Sequence, residues 1–416
     1  MKVWSHLQDI LESDSSALSG RLVVVAVSAS IACVESHRLA RGLMRHGAQV
    51  QFVLTPSARD LVSPTALGWS TGRAPVLELT ARCEHLEYFG VHGKADLLLL
   101  APCTANTLAK ISMGLDDNAV TTFATTALGI GVPVLCALGM HEPMMNNPAV
   151  AANLERVKGY GIEILSPVLS EGKQKMMAVP EIVARVKRTL GPADLQGRRV
   201  LITGGPTREF LDPARCLTNP SSGLTACLLA EEAYRRGAEV TLVYGPGRYQ
   251  PASWIEVERV VSAGEMEWSC RKLLREKEYD FCIACAAVSD FKPSIIEERK
   301  RPTAEGGFEL ALEVTPKVLD ALRAEAPRAK IVAFKAASSS SDEELARAIL
   351  PYLESRRADF VVGNSITIPG HGFDSDSNRY LVAGSGQVTA FGPARKSELA
   401  RLLWTHLLDC SRNTGS

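Results

Sequence analysis

Between Val200 and Gly223 the chain reads VLITGGPTREFLDPARCLTNPSSG. An apolar strand runs into a Gly204-Gly205 turn, and Ser221, Ser222 and Gly223 open a helix. Free backbone N–H groups and the positive end of a helix dipole meet at such a place, so the expected chemistry is phosphate binding. Ser28-Ala29-Ser30, after the strand Leu22–Val27, reads alone equally as a similar phosphate seat or as a simple N-cap. Thr55 closes a second strand, and Thr104, Asn106 and Thr107 follow a third in the run PCTANT. Hydroxyl-rich loops at the carboxyl ends of parallel strands point to a phosphorylated cofactor. Two histidines add proton chemistry. His141, in GMHEPMM, falls at the cofactor edge; His85, in CEHLEYF, reads by itself as a surface or core residue rather than a base.

The second half carries further polar groups at strand ends. Asn219 stands just before the serine pair, and Asp290 ends the run AAVSD. A carboxylate there can accept from a base or ribose, and Lys292 and Lys300 can reach phosphates. Singly, Asp290 is also an ordinary turn residue, and Glu297 to Arg301 an ordinary solvated run.

The elements that must position these residues follow from periodicity. Strands are expected at 22–27, 49–54, 95–101 and 132–137, with a helix over 30–45. After the helix-like EIVARVKRTL, the stretch GPADLQGRR reads as a linker. The cycle then restarts, with strands at 200–203, 239–244, 281–288, 330–334 and 359–363 and a helix over 224–236. Continuous apolar strands between amphipathic helices indicate parallel sheets covered on both faces. The fold class expected is α/β, two doubly wound Rossmann-like domains, at 1–190 and 191–416. The connection from Gly204 to Ser222 is longer than most, which marks a functional loop. Ser338–Ser341 is expected to be a mobile loop.

Bulk properties narrow the class. Lys+Arg and Asp+Glu are equal at 46 each, which argues against nucleic acid or an anionic membrane as the main partner. The N-terminal stretch lacks the apolar core of a signal peptide, and no run approaches the roughly 18 apolar residues of a membrane span. A cytoplasmic location is the expectation. The ten cysteines are scattered, mostly in apolar contexts, and read as reduced core thiols. Cys282 and Cys285 form a C-x-x-C pattern, but strand alternation would send them to opposite faces.

The blocks VVAVSASIA, CEHLEYF, DLLLLAPCTANTLAKISMGLDDN and ALGMHEPMMNNPAV together resemble the flavin-dependent cysteine decarboxylases, in particular the phosphopantothenoylcysteine decarboxylases. The resemblance implies a flavodoxin-like domain with FMN held by Ser28, Ser30, Thr55, Thr104, Asn106 and Thr107. It implies His85 as the catalytic base, with His141 and Lys175 toward the substrate. The implied chemistry oxidises the substrate thiol to a thioaldehyde, which accepts the electrons of the departing carboxylate; the enethiol then takes electrons back. Two positions depart from the family pattern. Leu138-Gly139-Met140-His141 replaces a Pro-x-Met-Asn run, and Glu171–Met177 lacks the cysteine of a substrate clamp.

The ordered blocks GGPTREFLDP, TNPSSG, AAVSDFKP, FELALEVTPKVL, VAFKA and FDSDSN closely resemble phosphopantothenate–cysteine ligase. That resemblance implies CTP as cosubstrate and Mg²⁺ to neutralise its phosphates. It implies Asn219 on the acyl-nucleotide, Asp290 and Ala286 on the base, Lys300 on the phosphates, and Phe334 and Arg356 in the nucleotide pocket. The Gly204-Gly205 turn and Ser221-Ser222 belong to the same site. Leu224 and Tyr352 stand where lysines are common. The partners implied are small molecules, and the assembly a homo-oligomer. Two other readings remain at this stage: a ligase with a flavin-binding but non-decarboxylating first half, and a flavoprotein decarboxylase of another acid with a nucleotide-binding tail.

Overall fold

The computed structural model describes residues 5–170, 173–300, 306–355, 357–368, 372 and 375–413. It divides into two compact units, Met1–Gly191 and Pro192–Ser416.

In the first unit β1 (Leu22–Val27), β2 (Gln49–Leu54), β3 (Leu97–Cys103), β4 (Val134–Leu138) and β5 (Glu163–Leu165) form one sheet in the order β2-β1-β3-β4-β5. Every pairing is parallel. This is the flavodoxin-like order, with its switch point between β1 and β3. All six residues of β1 are buried, because the pleat sends alternate side chains into two separate cores. Val23, Val25 and Val27 pack with Leu39 and Leu43 of the helix Ser36–Arg45. Val24 and Ala26 pack with Leu108 and Phe123 on the other face. The helix expected over 30–45 starts instead as a 3₁₀ turn, Ile31–Glu35. There Cys33 N donates to Ser30 O at 2.9 Å, tightening the entry before the α-helix begins. A hairpin of β6 (Val168–Ser170) and β7 (Lys173–Lys175) follows β5.

One titratable group in this unit makes a pH prediction. His46 is held at Nδ1 by Ser15 Oγ at 2.7 Å. Burial, reinforced by the charge of Lys187 and opposed by Asp14, lowers its pKa from 6.5 to about 4. The folded state therefore refuses a proton that the unfolded chain takes up below pH 6.5. The contribution is fully present above that pH and is lost as pH falls toward 4, by about 3 kcal/mol. Urea unfolding at pH 7 and pH 4.5 should show this loss, and His46→Gln should remove most of it.

In the second unit β8 (Arg199–Gly204) leads to a hairpin, β9 (Arg208–Asp212) and β10 (Arg215–Thr218), then β11 (Glu239–Tyr244) and β12 (Glu256–Arg259). β13 (Phe281–Ala284) is followed by a hairpin of β14 (Phe291–Pro293) and β15 (Leu312–Val314). β16 (Lys330–Ala337), β17 (Phe360–Ser365), β18 (Ser377–Gly384) and β19 (Gln387–Arg395) complete the unit. The eight-stranded sheet runs β12-β11-β8-β13-β16-β17-β18-β19. Its first six strands are parallel, in the doubly wound dinucleotide-fold order. β18 and β19 extend the edge antiparallel. Val200 and Ile202 enter one core and Leu201 the other. Trp404 of the last helix fills the first of these cores, donating Nε1–H to Leu229 O at 3.0 Å and meeting Phe281 edge-on.

Four sequence expectations need correction here. The span 204–222 is not a plain loop, because β9 and β10 pair within it. Asp212 Oδ1 accepts from Ala214 N and Arg215 N to make their turn. The strand expected at 281–288 stops at Ala284. Beyond it Thr203 Oγ1 takes the N–H of Ala286, and the pairing continues only as an isolated bridge, with Ala287 N donating to Gly205 O at 2.9 Å. Ser338–Ser341 is tied down: Ser340 N and Oγ both donate to Glu344 Oε2, and Ser341 caps the helix Asp342–Glu354. The β18–β19 extension lay outside the expected strands. The ten cysteines are free thiols, and Cys282 and Cys285 belong to different cores. Among the described residues no helix is long and apolar enough to cross a membrane.

Candidate active sites

At the carboxyl edge of the first sheet, the loops after β1, β3 and β4 are stitched together. Ser28 Oγ donates to Pro102 O at 2.8 Å and accepts from Thr104 N at 2.9 Å. Its hydroxyl is thus engaged internally, and its part in a cofactor site is to place the Thr104 loop. Ser30 Oγ accepts from Ala32 N, and Thr104 Oγ1 caps the helix Ala105–Met113 through Thr107 N. Asn106 lies exposed in the first turn of that helix, and Thr107 is buried. Gly139 N donates to Cys103 O at 2.9 Å. A Cβ at Gly139 would stand 2.7 Å from Pro102 Cβ, so the loop after β4 lies flush on the end of β3. Thr55 is 8% exposed and its Oγ1 has no hydrogen-bond partner. A buried hydroxyl left unbonded at the strand edge is what a polar ligand would complete.

His85 sits in the first turn of the helix Glu84–Phe89. The helix is anchored by Tyr88 Oη donating to Gln51 Oε1 at 2.9 Å. His85 Nδ1 is buried without a partner, one of six such side-chain atoms among the described residues of this unit. His141 is exposed at the N-cap of the short helix Glu142–Met145. Lys175 ends β7, and its neighbours Met176 and Met177 pack on the core; Glu171 and Gly172 lie outside the described residues.

The second sheet carries a cavity of about 440 Å³ at the carboxyl ends of β8, β13 and β16. Gly205, Asn219, Ser221, Ser222, Ala286, Asp290 and Phe334 all line it. The two glycines of the β8 turn divide the work. Gly205 adopts φ +75°, where a Cβ would stand 2.7 Å from Gly245 O. At Gly204 a Cβ would meet Ala226 Cβ at 2.4 Å. Gly204 therefore serves helix–strand packing and is not a wall of the cavity. Asn219 Nδ2 donates to Ala287 O and Val288 O, both at 3.1 Å, tying the β10 end to the loop after β13. Ser221 Oγ and Ser222 Oγ accept from Gly223 N and Leu224 N at the helix start. Phe334 meets Tyr380 edge-on at 5.8 Å.

The cations distribute differently from the sequence reading. Lys292 is paired with Glu313 on the β14–β15 hairpin. Lys300 is exposed and is not among the residues lining the cavity, and Arg356 lies outside the described residues. The lining instead includes Lys317, Lys335, Arg357 and Lys396, which sequence reasoning missed. Lys317 Nζ reaches Asp290 Oδ1 at 2.5 Å, so the expected base contact carries a cation of its own. Lys317 stands in the VTPKVL block; only the block's match, not the side chain, was visible. Among the described residues no cluster of His, Cys, Asp or Glu is arranged to hold a metal ion.

Two family models cover the chain in turn: a flavoprotein domain over residues 11–191, and the DNA/pantothenate metabolism flavoprotein C-terminal domain over 195–410. The coenzyme A biosynthesis bifunctional protein CoaBC of Thermococcus kodakarensis is 39% identical over 407 residues, 97% of this chain and 98% of that protein. The chain belongs to the CoaBC family. The CoaBC protein of Methanocaldococcus jannaschii is 31% identical, covering 94% of both chains. A crystal structure of a CoaBC C-terminal domain aligns with 53% of this chain and 99% of its own, at 28% identity and a TM-score of 0.44. Membership of the CoaBC family makes this a bifunctional enzyme of coenzyme A biosynthesis, with a phosphopantothenoylcysteine decarboxylase and a phosphopantothenate–cysteine ligase. Its decarboxylase half is a flavoprotein.

Proposed function

We propose that the second unit condenses 4′-phosphopantothenate with cysteine at the expense of CTP, and that the first decarboxylates the product to 4′-phosphopantetheine. The reading is carried by the cavity at the β8/β13 switch point, where a glycine turn, a helix start and Asn219 converge. The substrate carboxylate attacks the α-phosphorus of CTP and pyrophosphate leaves; the cysteine amine then attacks the acyl carbon and CMP leaves. Gly205, Ser221 and Ser222 receive phosphates at the helix N-terminus. Ala286, Asp290 and Phe334 hold the nucleoside. Asn219, fixed by its two carbonyl contacts, orients the acyl-nucleotide. Lys300, exposed outside the cavity lining, is assigned to the developing phosphate charge on the ligase resemblance alone. Mg²⁺ arrives on the triphosphate and needs few protein ligands.

In the first unit the orphaned Thr55 hydroxyl and the flush Gly139 loop suit a flavin mononucleotide, with Ser30, Thr104, Asn106 and Thr107 around its phosphate and ribityl chain. Bound FMN supplies a two-electron acceptor and donor. His85 takes the substrate thiol proton, and His141 with Lys175 faces the carboxylate. The protein acts as a homo-oligomer.

Purified protein given phosphopantothenate, CTP, Mg²⁺ and cysteine should release pyrophosphate and then carbon dioxide. A yellow protein that accumulates phosphopantothenoylcysteine without carbon dioxide would establish the second reading, a non-decarboxylating flavin half. Leu138–His141 and the cysteine-free Glu171–Met177 segment are what favour that reading.

A further inference from the structure

Four cations line the second-unit cavity among the described residues, and their surroundings differ. Lys317 is paired with Asp290, and Arg357 Nε with Asp320 Oδ1 at 3.3 Å. Lys396 is 3% exposed and donates to Gly372 O at 2.9 Å. Lys335 is half-buried, and no described carboxylate pairs with it. Its Nζ rests instead 5.6 Å from the centre of the Tyr352 ring. A half-buried ammonium with no counter-charge among the described residues is costly, and a ring face offsets only part of that cost. Lys335 stands near the end of β16, next to Phe334. Successive strand residues point to opposite faces, so the pair straddles the strand end with both residues on the cavity wall.

We propose that Lys335 binds the phosphate chain of the nucleoside triphosphate, with Tyr352 as the platform that aims it. The assignment rests on the ligase reading. Tyr352 projects from the helix Asp342–Glu354 and lines the same cavity, so its ring meets the strand's ammonium from the helix side. Two phosphate sources enter such a site, the triphosphate and the phosphate monoester of the acid. The triphosphate carries more charge and is attached to the nucleoside that Phe334 contacts, which places it beside Lys335.

The test uses the full-length enzyme and follows pyrophosphate release with CTP and phosphopantothenate varied in turn. Lys335→Met should raise the KM for CTP about 10- to 100-fold, the loss of one charge-assisted contact. The KM for phosphopantothenate and the melting temperature should hold. Lys335→Arg should keep most of the affinity for CTP. The double variant K335M/Y352K should recover much of it, because it returns a cation to the same space from the helix. An unchanged KM for CTP overturns the proposal. So does a rise confined to phosphopantothenate, which would assign the lysine to the acid's phosphate, or an equal rise in both KM values with a lowered melting temperature. Wild-type enzyme that releases no pyrophosphate from CTP would instead remove the CTP-dependent reading of the ligase.

Discussion

His85→Asn is expected to lower carbon dioxide release by a factor of about 100 to 10,000, the range a general base contributes. CTP-dependent pyrophosphate release should stay at the wild-type level. The imidazole lies in the first turn of a helix whose remaining contacts do not involve it: Tyr88 holds Gln51, and Phe89 packs edge-on against Phe123. Its buried Nδ1 has no protein partner to lose, so the substitution should leave the fold intact. Asparagine fits the space and cannot take up the thiol proton at neutral pH. The cavity assigned to the ligase lies wholly in the other compact unit, which is why pyrophosphate release is the control. Lys300→Gln should give the mirror result, with decarboxylation intact when phosphopantothenoylcysteine is supplied directly. Loss of both activities in His85→Asn would contradict the two-site assignment.

Gly223→Ala should reduce CTP-dependent turnover at least about 100-fold and destabilise the second unit by about 2–4 kcal/mol, whereas Gly264→Ala should be neutral or slightly stabilising. Gly223 caps the helix Leu224–Arg235 at φ +82°, and a Cβ there would fall 1.9 Å from Tyr244 Oη. Tyr244 cannot yield cheaply: it is fully buried and its hydroxyl donates to Tyr249 O at 2.7 Å. Either the ring or the helix start must move, and Ser221, Ser222 and the first free N–H groups move with the helix. Gly264 sits inside the helix Ala263–Glu276 with its nearest neighbour 4.0 Å from a built Cβ. Chemical denaturation of both variants, beside pyrophosphate release, separates damage to the site from the generic cost of losing a glycine.

The readable parts of this molecule are those set by local pattern. Val23 to Val27 and Val200 to Ile202 are apolar on both faces, which only a strand with helices on each side can bury, so two covered parallel sheets were evident. The hydroxyl-rich turns were legible because phosphate seats need small and polar residues where strands meet helices. The β9–β10 hairpin was missed because its strands alternate weakly and depend on Glu209 Oε1 accepting from Ala263 N, a contact made across 54 residues. The end of β13 was misjudged because Cys285 to Val288 are as apolar as a strand, while the N–H of Ala286 goes to Thr203 Oγ1 and only an isolated bridge at Ala287 carries the pairing further.

By itself, then, the sequence determined the two α/β units, the turns that open toward ligands and the CoaBC family. Tertiary structure decided which polar groups remain available there. Ser28 and Gly204 sit in the right motifs, yet one spends its hydroxyl on Pro102 and Thr104 and the other presses against Ala226. Lys317 and Asp290 are 27 residues apart and become an ion pair only when the loops after β13 and β15 are brought to one sheet edge. Lys335 gains its place over Tyr352 from the packing of a helix on a strand. Hydrophobic period and turn chemistry are local and can be read in order along the chain. The partner of a polar side chain is set by neighbours distant in sequence, and only the folded sheet specifies them.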